Sequence, residues 1–443
     1  MSPSDDEGQA DRSEPFGDRV AWAPPSAGGF AYVPGRVLVR GEAAARHVDV
    51  ITGEQHDPRP IGEREGAPEA TWYRIDGIDD PLAVVALMRA DGYAAQPDHV
   101  LFAHGGAACC CEPHPADAWG CLTGDPYRAN PYRANPYRAN PYRANPYRAN
   151  PYRANDAGGS SAIPAPARTL PERTPAANAS ARLVTVLDTG LADGPQRPAL
   201  LPPNRIAGAV DLPDESQGPA ATSGTLGPVA GHGTFIAGVI EQLAPGCTIG
   251  VDKVINALGY AVESELLARL HAIAMPGGQR PDVLSLSFGG TAAEPPLVLA
   301  GGIALVQLSG VVVVASAGND GSCQPQYPAA FDGVVAVAAL GPDGPAPWTN
   351  YGSWVDACAP GTDLVSAFFA DFDGPLPPVG ASDPDRFQEW AIWSGTSFAT
   401  PVVVAALVRE LEWGAVDGRA AVERLIHSPA AVRIPNLGTV VTA

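Results

Sequence analysis

The segment "WSGTSFATPVVVAALV", residues 393–408, places small hydroxyl side chains ahead of an apolar run. Serine and threonine at the start of a helix often cap the free backbone N–H groups of its first turn, so the local pattern alone favours a helix cap. The alternative is that Ser397 is a nucleophile. A nucleophilic serine needs a base, a carboxylate that orients the base, and donors that bind an oxyanion.

Three other polar residues could supply those groups. Asp188 follows "RLVTVL", His232 lies between two glycines in "GHGTFIAGVI", and Asn319 lies near the end of "VVVVASAGND". Each of them alone is typical of a turn or of a structural position. Together with Ser397 they provide an acid, a base, an oxyanion donor and a hydroxyl, in one of the chain orders known for convergent serine hydrolase triads.

The segments around these residues predict an α/β fold. The apolar runs "RLVTVLD", "TIGVDKVI", "PDVLSLSF", "GVVVVAS" and "VVAVAAL" are accompanied by the helical patterns "ESELLARLHAIA" and "TSFATPVVVAALVRELEW". Runs that are apolar on both faces and separated by helices indicate a parallel sheet with helices on both faces. Ligands bind beyond the carboxyl ends of such strands, so we expect the polar residues to converge there.

The same motifs carry a resemblance to a known family. "VTVLDTGL", "GHGTFIAG" and "GTSFATP" resemble the three signature blocks of the subtilisin-like serine proteases, the subtilases (peptidase family S8). The resemblance covers about residues 181–435. It implies that Asp188 orients His232 and that His232 deprotonates Ser397. It also implies that Asn319 and the Ser397 amide bind the oxyanion.

The resemblance further implies a set of substrate-binding residues. "PDVLSLSFGG" and "VVVVASAGND" are similar to the substrate-binding and oxyanion segments of the family, and "NALGYAVES" approximates the strand that pairs with substrate backbone. The residues implied are Ser287, Phe288, Gly289, Ala315, Ser316, Gly318, Gly259 and Tyr260. The first three would border the S1 and S4 sites, the next three would form part of the S1 wall, and the last two would pair with the substrate by β-augmentation.

Two other hydrolase families fit less well, and the chain departs from the subtilase pattern in three places. Sedolisins use no histidine base, and "SGTSFA" does not match the G-x-S-x-G motif of α/β-hydrolases. Phe235 stands where many subtilases have a second histidine. The link before "TIGVDKVI" lacks the loop that holds calcium in many relatives, so we expect no metal ion and no cofactor. An acidic, Pro-rich insertion lies between Leu364 and Trp393 and would cover the S1 side or bind a partner.

The N-terminal part predicts a second, smaller unit. Residues 1–30 are acidic and rich in Pro and Gly, and we expect them to be disordered. Residues 31–104 combine alternating, strand-like segments with a helical pattern capped by Asp80, which indicates an α+β unit. This unit loosely resembles the ferredoxin-like propeptide domain of subtilases. The resemblance implies an intramolecular inhibitor whose end enters the active site, which makes His104 or a neighbour the candidate autoprocessing position.

Residues 105–180 are predicted to be a linker. Six "PYRAN" repeats occupy residues 126–155, and their regular prolines prevent a helix or a core. The repeats are interpreted as a spacer or, alternatively, as a docking motif for a protein partner. Cys109–Cys111 and nearby histidines could bind zinc, but no CxxC pair is present, so reduced thiols are the favoured interpretation.

Composition narrows the possible partners. The chain has 28 basic and 48 acidic residues, a net charge of −20, which disfavours nucleic acid and anionic membranes as partners. No segment is long and apolar enough to span a bilayer, and no secretory signal is recognised. We therefore expect a cytoplasmic protein, or one exported by a non-standard route.

These observations predict a serine endopeptidase that hydrolyses protein or peptide substrates through an acyl-enzyme on Ser397. The catalytic domain is predicted to span residues 181–443. Two alternatives remain open at this point: a maturation protease of narrow specificity, and a catalytically silent scaffold that docks partners through the repeats.

Overall fold

The structure is a computed structural model of the 443-residue chain. It describes residues 17–24, 28–62, 68–103, 163–164, 182–212, 229–275, 280–373 and 386–442. Most of the predicted disordered segment, His104, the Cys109–Cys111 cluster and the repeats lie outside the described residues. The described part forms two compact units. The first contains residues up to Leu101 with Tyr260–Gln279 and Gly290–Ser309, and the second contains the remainder.

The helices of the described residues are α1 (Glu42–Thr52), α2 (Pro81–Ala90), α3 (His232–Leu243), α4 (Glu263–Ala274), α5 (Leu297–Leu308), α6 (Thr396–Glu412) and α7 (Gly418–Leu425). The first strands are β1 (Ala21–Trp22), β2 (Ala31–Arg40), β3 (Arg59–Ile61), β4 (Trp72–Asp76), β5 (Ala95–Ala103), β6 (Ile163–Pro164), β7 (Leu183–Asp188), β8 (Ile206–Gly208), β9 (Thr248–Lys253), β10 (Tyr260–Val262) and β11 (Val283–Leu286). The others are β12 (Phe288–Gly289), β13 (Val312–Ser316), β14 (Val335–Gly341), β15 (Gly344–Pro345), β16 (Ala357–Pro360), β17 (Leu364–Ala367), β18 (Phe372–Asp373), β19 (Arg386–Phe387), β20 (Trp390–Trp393), β21 (Arg433–Ile434) and β22 (Gly438–Val440).

The N-terminal part of the first unit has ferredoxin-like topology. The chain runs β2–α1–β3–β4–α2–β5, and the strands lie in the order β5-β2-β4-β3 with antiparallel neighbours. Helices α1 and α2 bury Val48 and Met88 in a cluster with Val37 and Ile75. Asp80 caps α2, as the sequence predicts, because its Oδ1 accepts a hydrogen bond of 3.0 Å from the backbone N–H of Ala83.

Strand β5 of the first unit carries polar side chains that meet the N-termini of α4 and α5. Glu263 Oε2 accepts hydrogen bonds from Gln96 Nε2 and His99 Nδ1, each 2.7 Å long. Glu263 Oε1 accepts from the backbone N–H of Leu299 at 2.7 Å. Asp98 accepts from the backbone N–H and the hydroxyl of Ser264. These contacts join α4 and α5 to β5 within the first unit. From the sequence, the two helices were predicted to belong to the catalytic domain and β5 to the smaller N-terminal unit.

The second unit is built on a sheet whose central strands are parallel. Its order is β21-β22-β16-β14-β13-β11-β7-β9-β8, with β15 paired to β14, and only β21 and β15 run antiparallel to their neighbours. Helix α3 packs on β7 and β9, and α6 packs on β11, β13, β14 and β16 and against α3. Their apolar residues form one continuous buried cluster with the strands. The prediction of an α/β fold is confirmed.

The segment upstream of α6 forms additional strands in the second unit. Strands β17 and β20 pair antiparallel, β6 joins the edge of β20, and β18 pairs with β19. This segment is the predicted insertion between Leu364 and Trp393, of which residues 374–385 lie outside the described residues. Its aromatic residues are buried, so the described part of the insertion adds to the core of this unit.

Candidate active site

Ser397 lies in the first turn of α6 and is inaccessible to solvent. The N-cap residue of this helix is Gly395, and no side chain caps it, so the interpretation of Ser397 as a helix cap is wrong. The Ser397 hydroxyl donates to the backbone oxygen of Ser287 at 3.3 Å. Ser287 Oγ in turn donates to the backbone oxygen of Ser397 at 3.0 Å, which fixes the start of α6 against the residue that follows β11.

Asp188 and His232 form a hydrogen-bonded pair. Asp188 is the last residue of β7, His232 is the first residue of α3, and Oδ1 of the carboxylate lies 2.7 Å from Nδ1 of the imidazole. Both side chains are fully buried. Because Nδ1 donates to the carboxylate, Nε2 is left as the ring atom that can accept a proton.

The glycines on either side of His232 are required by close backbone contacts. Gly231 has φ of 78°, and a Cβ there would lie 2.3 Å from the ring of Phe368. A Cβ at Gly233 would lie 2.3 Å from the backbone oxygen of Gly190 and 3.2 Å from Cβ of Asp188. The small residues therefore allow the imidazole to approach the end of β7, as the sequence pattern indicates.

Aromatic side chains surround the imidazole. Trp393 meets it edge-on, with ring centroids 5.5 Å apart at 86°, and the centroid of Phe398 lies 5.1 Å away. Phe235, at the position of the second family histidine, packs on both of these rings. Since Phe398 directly follows Ser397, its contact brings the start of α6 next to His232. Trp393 was not identified from the sequence, although it stands only four residues before Ser397.

Asn319 lies beside the start of α6. Its Oδ1 accepts hydrogen bonds from the backbone N–H of Thr396 at 3.0 Å and from the Thr396 hydroxyl at 2.9 Å. These two bonds fix the orientation of the amide, since the oxygen must face Thr396. Nδ2 of Asn319 lies 3.6 Å from the position that a Cβ of Gly395 would take. Gly395 is the N-cap of α6, two residues before Ser397.

The predicted substrate-binding residues contact an extended segment of this chain. Phe288 and Gly289 pair antiparallel with Ala103 and Phe102, and the backbone N–H of Ala103 donates to Gly259 O at 2.9 Å. The end of β5 thus lies between two segments of the second unit. Backbone pairing on both sides of an extended peptide is the geometry of β-augmentation.

The other predicted subsite residues are located in or after neighbouring strands. Ala315 and Ser316 are buried at the end of β13, and Tyr260 is the first residue of β10. Gly318 has φ of 104°, and a Cβ there would lie 2.3 Å from Nδ2 of Asn350. Gly318 therefore approaches Asn350 as closely as only a glycine can.

No group of three or more His, Cys, Asp or Glu side chains that could hold a metal ion occurs among the described residues. Cys247 and Cys358 are free and buried, and burial raises the pKa of each thiol to about 12. Cys323 is disulfide-bonded. Within the part of the chain that the structure describes, no helix is long and apolar enough to cross a membrane.

A buried carboxylate–imidazole pair next to a helix with a serine in its first turn, and with a side-chain amide beside it, is the arrangement of a serine hydrolase. Comparison with known proteins identifies the family. The model of the Subtilase family, Peptidase S8, matches residues 180–430. The chain belongs to this family and is a subtilisin-like serine endopeptidase.

Two relatives and one solved structure are similar to this chain. Thermitase from Thermoactinomyces vulgaris is 30% identical over 266 residues, which are 57% of this chain and 84% of thermitase. A thermophilic serine proteinase from Bacillus sp. (strain AK1) is 31% identical over 206 residues, 44% of this chain and 46% of that proteinase. The crystal structure of a cold adapted subtilisin-like serine proteinase covers 62% of this chain and 94% of its own, with a TM-score of 0.46 and 23% identity.

Proposed function

We propose that Asp188, His232 and Ser397 are the catalytic triad of this endopeptidase. The observation that carries the proposal is the 2.7 Å bond between Asp188 Oδ1 and His232 Nδ1 beside the start of α6. His232 Nε2 has no hydrogen-bond partner among the described residues, although it is buried. A buried polar atom without a partner is costly, and here it is the atom that must receive the proton of Ser397.

In the proposed reaction, Ser397 Oγ turns from Ser287 O towards His232 and attacks the carbonyl carbon of the scissile bond. His232 Nε2 takes the hydroxyl proton, and Asp188 stabilises the imidazolium. Asn319 Nδ2 and the backbone N–H of Ser397 bind the oxyanion. The C–N bond then breaks as Nε2 returns the proton to the leaving amine. Water hydrolyses the resulting ester with His232 again acting as the base.

We also propose that the ferredoxin-like part is an inhibitory prodomain that this site cleaves. Ala103, the last described residue of this segment, lies opposite Phe288 in an antiparallel pair, and Phe288 directly follows Ser287. Ser287 is the residue whose backbone oxygen accepts the hydrogen bond from Ser397 Oγ. The described pairing therefore ends beside Ser287, which supports His104 or a neighbour as the self-processing position. A docking role of the repeats stays a prediction.

Substitution of the nucleophile tests the triad. We expect Ser397→Ala to abolish peptide hydrolysis and labelling by a fluorophosphonate, because no other hydroxyl has the base. Ser353→Ala is a matched control, since Ser353 is exposed and lies outside the site, and it should keep both activities. Labelling that persists in Ser397→Ala at the rate of the unsubstituted chain would contradict the proposal.

Intact-mass spectrometry tests the processing step separately. The unsubstituted chain should yield an N-terminal fragment that ends at His104, whereas Ser397→Ala should stay whole. Cleavage of the Ser397→Ala chain at the same bond, or self-cleavage at another position only, would contradict the prodomain assignment and leave the triad intact.

A further inference from the structure

Asp211 is a buried carboxylate near the catalytic pair that no motif of the sequence indicates. It lies three residues beyond β8 and is 4% exposed. Its backbone N–H donates to Leu191 O at 2.9 Å, which places it beside the segment that follows β7. The carboxylate itself takes no part in the triad.

One oxygen of Asp211 joins the two segments that carry Asp188 and His232. Oδ2 accepts a hydrogen bond of 2.8 Å from the hydroxyl of Thr189, the residue after Asp188. The same oxygen accepts a bond of 2.7 Å from the backbone N–H of Gly231, the residue before His232. Asp211 therefore spans the junction between the end of β7 and the start of α3.

Thr189 extends this connection to both members of the pair. Its backbone N–H donates to Asp188 Oδ1 at 2.8 Å, on the oxygen that also binds His232. Its hydroxyl oxygen accepts from the backbone N–H of Gly233 at 3.1 Å. Each residue that flanks the catalytic pair on this side is thus tied, directly or through Thr189, to the carboxylate of Asp211.

The position is energetically unfavourable for a charge. The pKa of Asp211 is raised to about 7, mainly by burial and to a smaller extent by the negative charge of Asp188, although the hydrogen bonds from Thr189 and Gly231 and the charge of Lys253 lower it. A buried carboxylate with this cost does not add to the stability of the fold in the way that an apolar residue of similar size could. Its contacts instead indicate a role in fixing geometry.

We propose that Asp211 is a positioning residue that holds Asp188 and His232 in their catalytic orientation. This inference rests on the proposed triad. The side-chain hydrogen bonds of Asp211 go to Thr189 and Gly231 and not to the segments that pair with Phe102 and Ala103, so its loss should lower kcat and leave KM unchanged. A group that serves only to fold the loop would lower the amount of active protein and not the rate per active site.

The test uses the full chain, with rates normalised to sites titrated by a fluorophosphonate. We expect Asp211→Ala to lower kcat about 30-fold with KM within about 2-fold, because a small displacement of catalytic groups is enough for such a loss. Asp211→Asn should recover kcat to within about 5-fold, since the amide oxygen can accept both hydrogen bonds. Asp193→Ala, at an exposed aspartate of the segment between β7 and β8, should keep the unsubstituted kcat.

A second background separates positioning from a general effect on the protein. In His232→Ala, residual hydrolysis no longer depends on the orientation of an imidazole. Adding Asp211→Ala to this background should change the residual rate less than about 2-fold. An equal loss in both backgrounds, or a loss confined to KM, would overturn the inference.

The pH dependence provides a test with a variant that retains both hydrogen bonds. Asp211 ionises as pH rises through about 7, facing Asp188 and Lys253, whereas the amide of Asp211→Asn stays neutral. Charged acceptors form stronger hydrogen bonds, so the ratio of kcat between the unsubstituted chain and Asp211→Asn should rise from about 1 at pH 6 towards about 5 at pH 8.5. A ratio that is constant over this range would contradict a role of the carboxylate charge. Absence of fluorophosphonate labelling in the unsubstituted chain would instead contradict the proposed function.

Discussion

The molecule contains two buried histidine–carboxylate pairs with the same separation and different surroundings. His99 Nδ1 lies 2.7 Å from Glu263 Oε2 in the first unit, and His232 Nδ1 lies 2.7 Å from Asp188 Oδ1 in the second. Glu263 also accepts hydrogen bonds from Gln96 Nε2 and from the backbone N–H of Leu299, so both of its oxygens are used. Asp188 Oδ2 and His232 Nε2 have no partner in the described part of the chain.

The difference shows that pair geometry alone does not identify a catalytic group. A carboxylate whose oxygens are all bonded can only hold its neighbours, and the pair at Glu263 joins a strand to two helix N-termini. Asp188, in contrast, has one carboxylate oxygen without a partner in the described part of the chain, and the buried Nε2 of its imidazole partner is available to accept a proton. The number of hydrogen bonds still available to each pair is therefore the more informative quantity.

The largest expected effect is on kcat when His232 is removed, whereas removal of His99 should leave kcat nearly unchanged. His232→Ala should lower kcat on the order of 10⁶-fold, since the base is lost. His99→Ala should leave kcat per titrated site within about 2-fold, because its partner has no part in the proposed chemistry. Steady-state rates with a peptide substrate measure both, normalised by active-site titration for His99→Ala and by protein concentration for His232→Ala, which reacts too slowly with the titrant. Similar losses in the two variants would remove the distinction.

Removal of Glu263 should affect the first unit and not the chemistry. Glu263→Ala leaves several buried donors without an acceptor, so the free energy of opening of β5 and α4 should fall by about 4 kcal/mol. Hydrogen exchange of the backbone amides of β5 and α4 measures this quantity. Glu265→Ala, at an exposed site on the same helix, is the matched control and should change it by less than about 0.5 kcal/mol. Equal protection in both variants would contradict a structural role of the pair.

The first unit should become more stable as the pH falls. The pKa of Asp98 is raised from an ordinary 3.8 to about 6, mainly by burial and also by the charge of Glu263, although Ser264 and Arg36 lower it. The folded state therefore binds a proton more tightly than the unfolded chain, and its stability rises as pH falls through about 6. The full effect is about 3 kcal/mol and is reached only below the unfolded pKa of 3.8.

Amide exchange of β5 and α4 at pH 7.5 and 4.5, corrected for intrinsic exchange rates, measures this pH dependence. Asp98→Asn should flatten it, because the amide does not titrate in this range. If the pH dependence is unchanged in Asp98→Asn, groups other than Asp98 cause the rise in stability at low pH, which contradicts the prediction.

The smallest expected effect concerns the cap of α2, whose hydrogen bond joins Asp80 to Ala83 and involves neither pair. Asp80→Ala removes the cap of α2, which should lower the stability of this helix by about 1 kcal/mol. Hydrogen exchange of the α2 amides reports the change, and kcat should not respond. Asp79→Ala, at the adjacent exposed aspartate, is the control. A loss of kcat in Asp80→Ala would contradict the prediction that this cap affects only the stability of α2.

Much of the fold could be predicted from local patterns. The alternating and continuous apolar runs match β2, β4, β5, β7, β9, β11, β13 and β14, and the periodic segments match α2, α4 and α6. Helix α5 was not predicted, because "LVLAGGIALVQL" contains two central glycines and is apolar almost throughout, so it lacks a clear helical periodicity.

The site was predictable where a motif marks it and not where long-range contacts complete it. Asp188, His232, Asn319 and Ser397 all stand in recognisable blocks, and the structure brings Asp188 to His232. Asp211 stands in a segment of ordinary turn composition, and its partners Thr189 and Gly231 lie 22 and 20 residues away. The cap interpretation of Ser397 was wrong because the polar groups at this helix start bind Asn319 and Ser287 and not the first turn.

Peptide mapping of the chain after reaction with a fluorophosphonate tests whether Ser397 is the nucleophile and His232 its base. We expect one adduct, on Ser397, which forms in the unsubstituted chain and forms several orders of magnitude more slowly in His232→Ala. An adduct on another serine, or phosphonylation of Ser397 at an undiminished rate without His232, would contradict it.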